Sequence, residues 1–305
     1  MNDLIIVGAG PAGMSAALNA QNDGIDFSLF ESKEAGWFPR VSVDSHYFVD
    51  NYLGFRKTSG TEIIRQFQEH LKMNNIPVVN DSIVNVMPEG NHFMVYTSSE
   101  EVPTKTLLLA NGTVQRELVA PGIERFLGKS IFYYCVPEGP QFSGKNVVVI
   151  GGRNTGAVTA LYLKEIGCKV HVIEKDSKIT AKDKYALKIK DAGIPYHSGR
   201  EVTGFGGTDR LESVKLRGSN EELEEIAADG VFICIGLKPN NALAKTMGVR
   251  LDEQGYVCVD KNMSTNIPGV YAAGDITGGL KQMVVAAAQG SIAAYNISKY
   301  PELSK

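Results

Sequence analysis

The chain has 305 residues, 43% of them hydrophobic and 21% charged, with a formal net charge of −3. That is the composition of a soluble globular protein with room for two domains, and it excludes collagen-like and disordered classes. The small charge, spread without basic clusters, argues against nucleic acid or a membrane surface as partner, and no apolar run reaches the ~18 residues a bilayer span needs.

The first element is the apolar run "LIIVGAG", which starts without a basic leader or cleavage site and is read as cytoplasmic. A buried strand ends at Gly8, a turn carries Gly8, Gly10 and Gly13, and Pro11 and Ala12 open a helix that stops at Gly24. A second strand, "DFSLFE", ends on Glu31. Strand, glycine turn, helix, strand and acid form the βαβ pattern of a dinucleotide site. Glycine lets the backbone approach a pyrophosphate, the helix start offers unpaired N–H groups to the anion, and the acid accepts hydrogen bonds from a ribose diol.

Next come "EAGWFPR", with Trp37 and Phe38, and "VDSHYFVDNYLGF", with His46 and Asn51. Residues 81–112 alternate strand-like runs with turns, predicting a β-meander that ends in the apolar strand "LLLANG", with Ala110 and Gly112 at its tip. "QRELVAPG", at 115–122, is a Pro- and Gly-containing linker, and "FYYCVPEGP" follows at 132–140.

Residues 147–174 then repeat 4–31 without a gap. Gly151, Gly156, Gly167 and Glu174 fall on Gly8, Gly13, Gly24 and Glu31, so a second βαβ unit is expected. Its turn reads Gly151-Gly152-Arg153-Asn154-Thr155-Gly156. Arg153 stands where the first unit has Gly10: a side chain that crowds a pyrophosphate or pairs with it, or a mark of a unit kept as scaffold. A second meander ends in "FICIG"; "GVYAAGD" and a small-residue helix from about Gln282 to Ile297 close the chain. That tail has no place in the second unit, so it is expected to complete the first, giving a domain of 1–114 and 246–305 with 118–243 inserted. The fold class is α/β, with two Rossmann-like domains.

The four cysteines form no CxxC pair and the five histidines no spaced ligand set, so no metal site is expected. Cys234 and Cys258 sit in apolar strands and read as inert core thiols. His171, within "KVHVIE", reads as packing.

With both βαβ units, "ANG", "CIGLKPN" and "GVYAAGD" in this order, the chain resembles the low-molecular-weight thioredoxin reductase family over nearly its whole length. The resemblance implies FAD in the first unit, NAD(P)H in the second, a homodimer, and domains that reorient during turnover. By position it places Gly8, Gly10, Pro11, Ala12 and Gly13 at the FAD pyrophosphate, with Glu31 on the adenosine ribose. Asn51 is implied at the flavin ring, Gly274 and Asp275 at the ribityl and phosphate portion, and Lys281-Gln282 at the start of the last helix, beside the flavin pyrimidine. Asn51 as a turn residue and Asp275 as a cap are the plain structural alternatives. Trp37 and Phe38, where the family has small residues, are expected to pack against FAD, and Tyr133 and Tyr134 to cover a flavin face. His46 is a candidate proton donor from its location.

Two departures bear on function. The family's C-x-x-C-D is here Cys135-Val136-Pro137-Glu138, one residue shorter, and no alignment leaves two thiols. Thiol exchange with thioredoxin needs an attacking and a resolving cysteine, so that relay is not expected. Cys135 is either a bystander or a reactive single thiol, and Glu138 takes the acid position. Where NADPH-dependent members carry His-Arg-Arg, this chain has Glu174-Lys175-Asp176. A carboxylate accepts from a 2′-OH and repels a 2′-phosphate, so NADH is favoured over NADPH. The expected activity is FAD-dependent electron transfer to an acceptor other than thioredoxin: ferredoxin, a quinone, oxygen or a small disulfide. A ferredoxin-linked, nicotinamide-independent flavoprotein and a flavin-binding redox sensor with little turnover are the alternatives.

Overall fold

The computed structural model describes residues 1–32, 48–178 and 181–303. Trp37, Phe38 and His46 lie outside the described residues. The chain forms two compact units: 115–237 lies within one, and the other draws on 1–32, 48–114 and 238–303. The chain crosses between them at 114/115 and again at 237/238. At the crossings Thr113–Gln115 pairs with Leu237–Pro239 as a two-stranded ribbon, and Arg116 N donates to Gly236 O at 3.0 Å.

The first unit begins with β1 (Asn2–Val7), α1 (Pro11–Asn22) and β2 (Phe27–Glu31). Then come α2 (Gly60–Met73), β3 (Val78–Asn80) and the meander β4 (Ile83–Glu89), β5 (His92–Thr97), β6 (Glu101–Leu109). β3, β2, β1 and β6 run parallel in that order, and β5 and β4 continue the sheet antiparallel. Leu4, Ile5, Ile6, Leu107, Leu108 and Leu109 are fully buried, as a strand covered on both faces requires. Ser59 caps α2 by accepting from Glu62 N at 3.2 Å.

In the second unit β7 (Asn146–Ile150), α3 (Asn154–Glu165) and β8 (Lys169–Glu174) repeat the opening βαβ, followed by α4 (Asp183–Asp191) and β9 (Tyr196–Ser198). β10 (Arg200–Gly206), β11 (Ser213–Gly218) and β12 (Leu223–Ala227) form a separate antiparallel sheet, and β13 (Gly230–Ile233) returns to pair parallel with β7. Strand alternation sorts the side chains. Val147, Val149, Val170 and Val172 pack with Ala157 and Ala160 of α3, whereas Val148, Ile150 and Ile173 pack with Val214 and Leu216 of the meander.

The tail belongs to the first unit. β14 (Val270–Ala272) adds parallel to β6, with Ala272 opposite Leu109, and α5 (Met283–Ile297) packs on α1. That packing is close because the facing residues are small: a Cβ at Gly290 would lie 2.0 Å from Ala12 O.

Candidate active site

In the first unit, β1 drives its apolar run under β6 and stops at Gly8, whose φ of +105° suits glycine. A side chain there would also meet Ala110 O at 2.6 Å. A Cβ at Gly13 would lie 1.9 Å from Gly8 O, so α1 can start directly against the strand end only with glycine at 13. Gly10 is different: its φ is −75°, and nothing stands within 4 Å of an added Cβ. No side chain caps α1, Pro11 opens it, and its first turn holds no acid. An open approach to an uncapped helix start is a receptor for an anion.

Glu31 is held beside this turn. Its Oε2 accepts from Ala9 N at 2.9 Å and its Oε1 from Ser32 N at 2.9 Å. Asn51 Nδ2 donates to Gln282 Oε1 at 2.8 Å, joining two predicted flavin-site residues 231 positions apart. Gln282 is the N-cap of α5, which likewise has neither a side-chain cap nor an acid in its first turn. Gly274 has φ +81° and its N donates to Gln289 Oε1 at 2.8 Å. Burial pushes the adjoining Asp275 carboxyl upward from its ordinary value, with Lys281 opposing. Lys281 Nζ stands 4.5 Å from the centre of the Tyr256 ring.

The tip of β6 adds a residue that the sequence reading missed. Asn111, between Ala110 and Gly112, donates from Nδ2 to Asn240 O at 2.6 Å, while its Oδ1 is buried and accepts from no described residue. A buried acceptor left unmade is costly, so the site calls for a donor there. Uncapped helix starts, open backbone at Gly10 and this orphaned oxygen fit a dinucleotide with a hydrogen-bonding ring. The glycine turn and the start of α1 gave local signals; Gln289, Tyr256 and Asn111 act through partners distant in sequence.

The second turn repeats the backbone features of the first. Gly151 has φ +104°, and a Cβ at Gly156 would lie 1.7 Å from Gly151 O. Glu174 Oε2 accepts from Gly152 N at 2.7 Å and Oε1 from Asp176 N at 3.1 Å. Arg153 adopts φ −74°, ψ −175°, matching Gly10 at −75°, −178°, so the arginine leaves the turn unstrained. Its exposed side chain reaches toward Asp176, Nη2 to Oδ2 3.9 Å. Asn154, the first residue of α3, accepts from Lys182 N through Oδ1 at 2.8 Å, and Thr155 follows it in the first turn.

Cys135 opens a four-residue helix, Cys135–Glu138, and is 1% exposed. Its Sγ and that of Cys234 point at one hydroxyl, Thr159 Oγ1, from 3.8 and 3.6 Å. Burial pushes the Cys234 thiol up to about 12 and raises that of Cys168. Glu138 Oε2 accepts from Gln141 Nε2 at 2.9 Å. Tyr133 packs on the meander side of the second unit's core, its Oη accepting from Leu118 N at 3.3 Å, and Tyr134 on the helix side. His171 stacks on His197, Nδ1 to Nε2 3.1 Å, a pairing that the sequence did not announce. Among the described residues no cluster of three metal-ligating side chains occurs, and no helix is long and apolar enough to cross a membrane.

These positions predict thiol chemistry. Of the four cysteines, three are buried and Cys258 is partly exposed. Ellman's reagent should consume about one equivalent on the native protein and all four thiols in guanidinium. Rapid loss of a second native thiol that maps to Cys135 would overturn the packing reading of that residue.

Comparison with known proteins agrees with this geometry. Residues 2–290 match the model of the pyridine nucleotide-disulphide oxidoreductase family. The thioredoxin reductase of Listeria innocua is 31% identical over 307 residues, which cover 98% of this chain and 94% of that protein. A Pseudomonas putida relative, an alkyl hydroperoxide reductase subunit, is 31% identical over 96% of this chain, which spans only 58% of that protein's length. Among solved structures, T. acidophilum thioredoxin reductase superposes with a TM-score of 0.88 at 33% identity, covering 98% of each chain. With two glycine turns, their acids and the returning tail in place, the chain belongs to the pyridine nucleotide-disulphide oxidoreductase family and is a flavin-dependent oxidoreductase of thioredoxin reductase fold.

Proposed function

We propose that the protein carries two electrons from NADH, in preference to NADPH, to an acceptor other than thioredoxin. The observation that supports this most directly is Cys135: the segment Cys135–Glu138 holds one thiol, buried against Thr159, with no second thiol in the segment to resolve a mixed disulfide. FAD, when bound in the first unit, supplies the two-electron chemistry. Gly8, Gly10 and Gly13 with the start of α1 would hold its pyrophosphate, Glu31 its adenosine ribose, and Asp275 its ribityl portion. The start of α5, steadied by the Asn51–Gln282 hydrogen bond, favours negative charge on the ring. In the second unit, Glu174 and Asp176 stand where a 2′-phosphate would need cations.

Anaerobic stopped-flow mixing tests the donor. NADH should bleach the flavin band at least about tenfold faster than NADPH at equal concentration, since placing like charges together costs more than the roughly 1.4 kcal/mol that a tenfold ratio needs. Faster bleaching by NADPH would refute the preference. Thioredoxin reduction should stay at background. The exposed Arg153 in the second turn favours one other reading, a ferredoxin-linked enzyme. Chemically reduced ferredoxin would then bleach the flavin where both nicotinamides fail.

A homodimer and a cytoplasmic setting belong to the same proposal. Val284, Ile292 and Tyr295 line one exposed apolar face of α5, and four free thiols suit a reducing compartment.

A further inference from the structure

We propose that Tyr196 closes the ribose-binding acid of the second dinucleotide turn and sets how tightly that turn takes a nicotinamide nucleotide. The inference rests on the reading above, in which the second unit is the donor site, and names the residue that controls it.

Besides the motif residues already compared, the two units differ at a matched pair of positions that meet in space. Ala9 in the first turn corresponds to Gly152 in the second, and Val78, opposite Leu29, corresponds to Tyr196, opposite Val172. A methyl group and an isopropyl group are thus exchanged for a hydrogen and a phenol. A Cβ at Gly152 would lie 1.9 Å from Tyr196 Oη, 2.6 Å from its Cζ and 3.0 Å from Glu174 Oε2. The phenol tip stands where the Ala9 methyl group stands, alongside the carboxylate, and Oη donates to Gly152 O at 3.3 Å.

The consequence shows in Glu174. Glu31 is half-buried, but Glu174 is only 7% exposed. In both units each carboxylate oxygen already accepts one backbone N–H, so those bonds do not explain the difference. Tyr196 packs against the helix-side core that includes Val172, so its ring approaches the acid from that side. A ribose diol must reach outward-facing lone pairs of the acid, and covering the carboxylate withholds them. Packing alone does not demand a phenol, because the same βαβ frame closes with Ala9 and Val78 in the first unit.

The test uses the full-length, FAD-loaded protein and ADP-ribose, which carries both phosphates and the adenosine ribose but no nicotinamide. Calorimetry should show Tyr196→Val binding ADP-ribose at least about tenfold tighter than wild type. Tyr196→Leu serves the same purpose if the valine variant does not load FAD. Equal or weaker binding by the variant that loads would overturn the proposal. NADH bleaching of the same proteins separates the two claims. Tighter ADP-ribose binding with no bleaching of either protein supports Tyr196 and defeats NADH as donor. Bleaching of the wild type with no gain in ADP-ribose affinity defeats Tyr196 and keeps NADH.

Discussion

Gly290→Ala is expected to yield a protein that unfolds several degrees lower and is recovered without flavin. The added methyl group would lie 2.0 Å from Ala12 O and 2.8 Å from its carbonyl carbon. Those are backbone atoms of α1, so no side chain can rotate away. The helices must separate, at a cost of about 3 kcal/mol for overpacking. Because Ala12 lies in the first turn of α1, separation also displaces the N–H groups proposed to hold the pyrophosphate. Gly10→Ala is the contrast. At φ −75° with nothing within 4 Å, alanine there should leave the melting temperature of the apoprotein unchanged and still abolish FAD retention. Thermal unfolding of each apoprotein and the flavin-to-protein absorbance ratio check both. A Gly290→Ala protein that keeps stoichiometric FAD would show that α1 and α5 do not set the pyrophosphate site.

Asp275→Asn is expected to move stability and cofactor affinity in opposite directions. Burial raises the carboxyl's pKa above that of an unfolded aspartate, about 3.9. The folded apoprotein therefore binds this proton more readily than the unfolded chain does. The sign is the reverse of the usual aspartate case. At neutral pH the ionised group costs stability, and the cost is relieved as pH falls through the raised value. The amide removes that cost, so the Asp275→Asn apoprotein should melt higher than wild type at pH 7, and the gap should narrow as pH falls. Flavin affinity should drop about 10- to 100-fold, the worth of a charge-assisted hydrogen bond of roughly 1.5–3 kcal/mol. Apoprotein melts from neutral pH down through the acid range and the fluorescence of released FAD provide the readouts. An Asp275→Asn apoprotein that melts lower than wild type at pH 7 would sink the argument.

Much of this was legible in the sequence because a βαβ unit is a local pattern. The overlay of 4–31 on 147–174 located both glycine turns, both acids and the helix ends, since each depends on residues within one short stretch. Arg153 shows the limit of such reading. From sequence the replaced glycine reads as crowding of a pyrophosphate, pairing with it, or a mark of scaffold, and nothing local tells that position 153 has a φ that any residue adopts. Its glycine counterpart matters only for what approaches from outside. The exchange of Ala9 and Val78 for Gly152 and Tyr196 was not legible, because it joins a turn to a strand 44 residues later. Asn111 with Asn240 and Thr159 between two thiols were hidden for the same reason: their partners are set by the tertiary fold rather than by periodicity.

The paired ribbon at Thr113–Gln115 and Leu237–Pro239 bears on how such proteins diversify. The inserted unit enters and leaves the first unit through neighbouring strands, so its two ends fall side by side. A segment with adjoining ends can be lost, swapped or duplicated while every strand of the host sheet keeps its partners. The inserted unit is then a replaceable cassette, free to change while the host unit keeps its sheet.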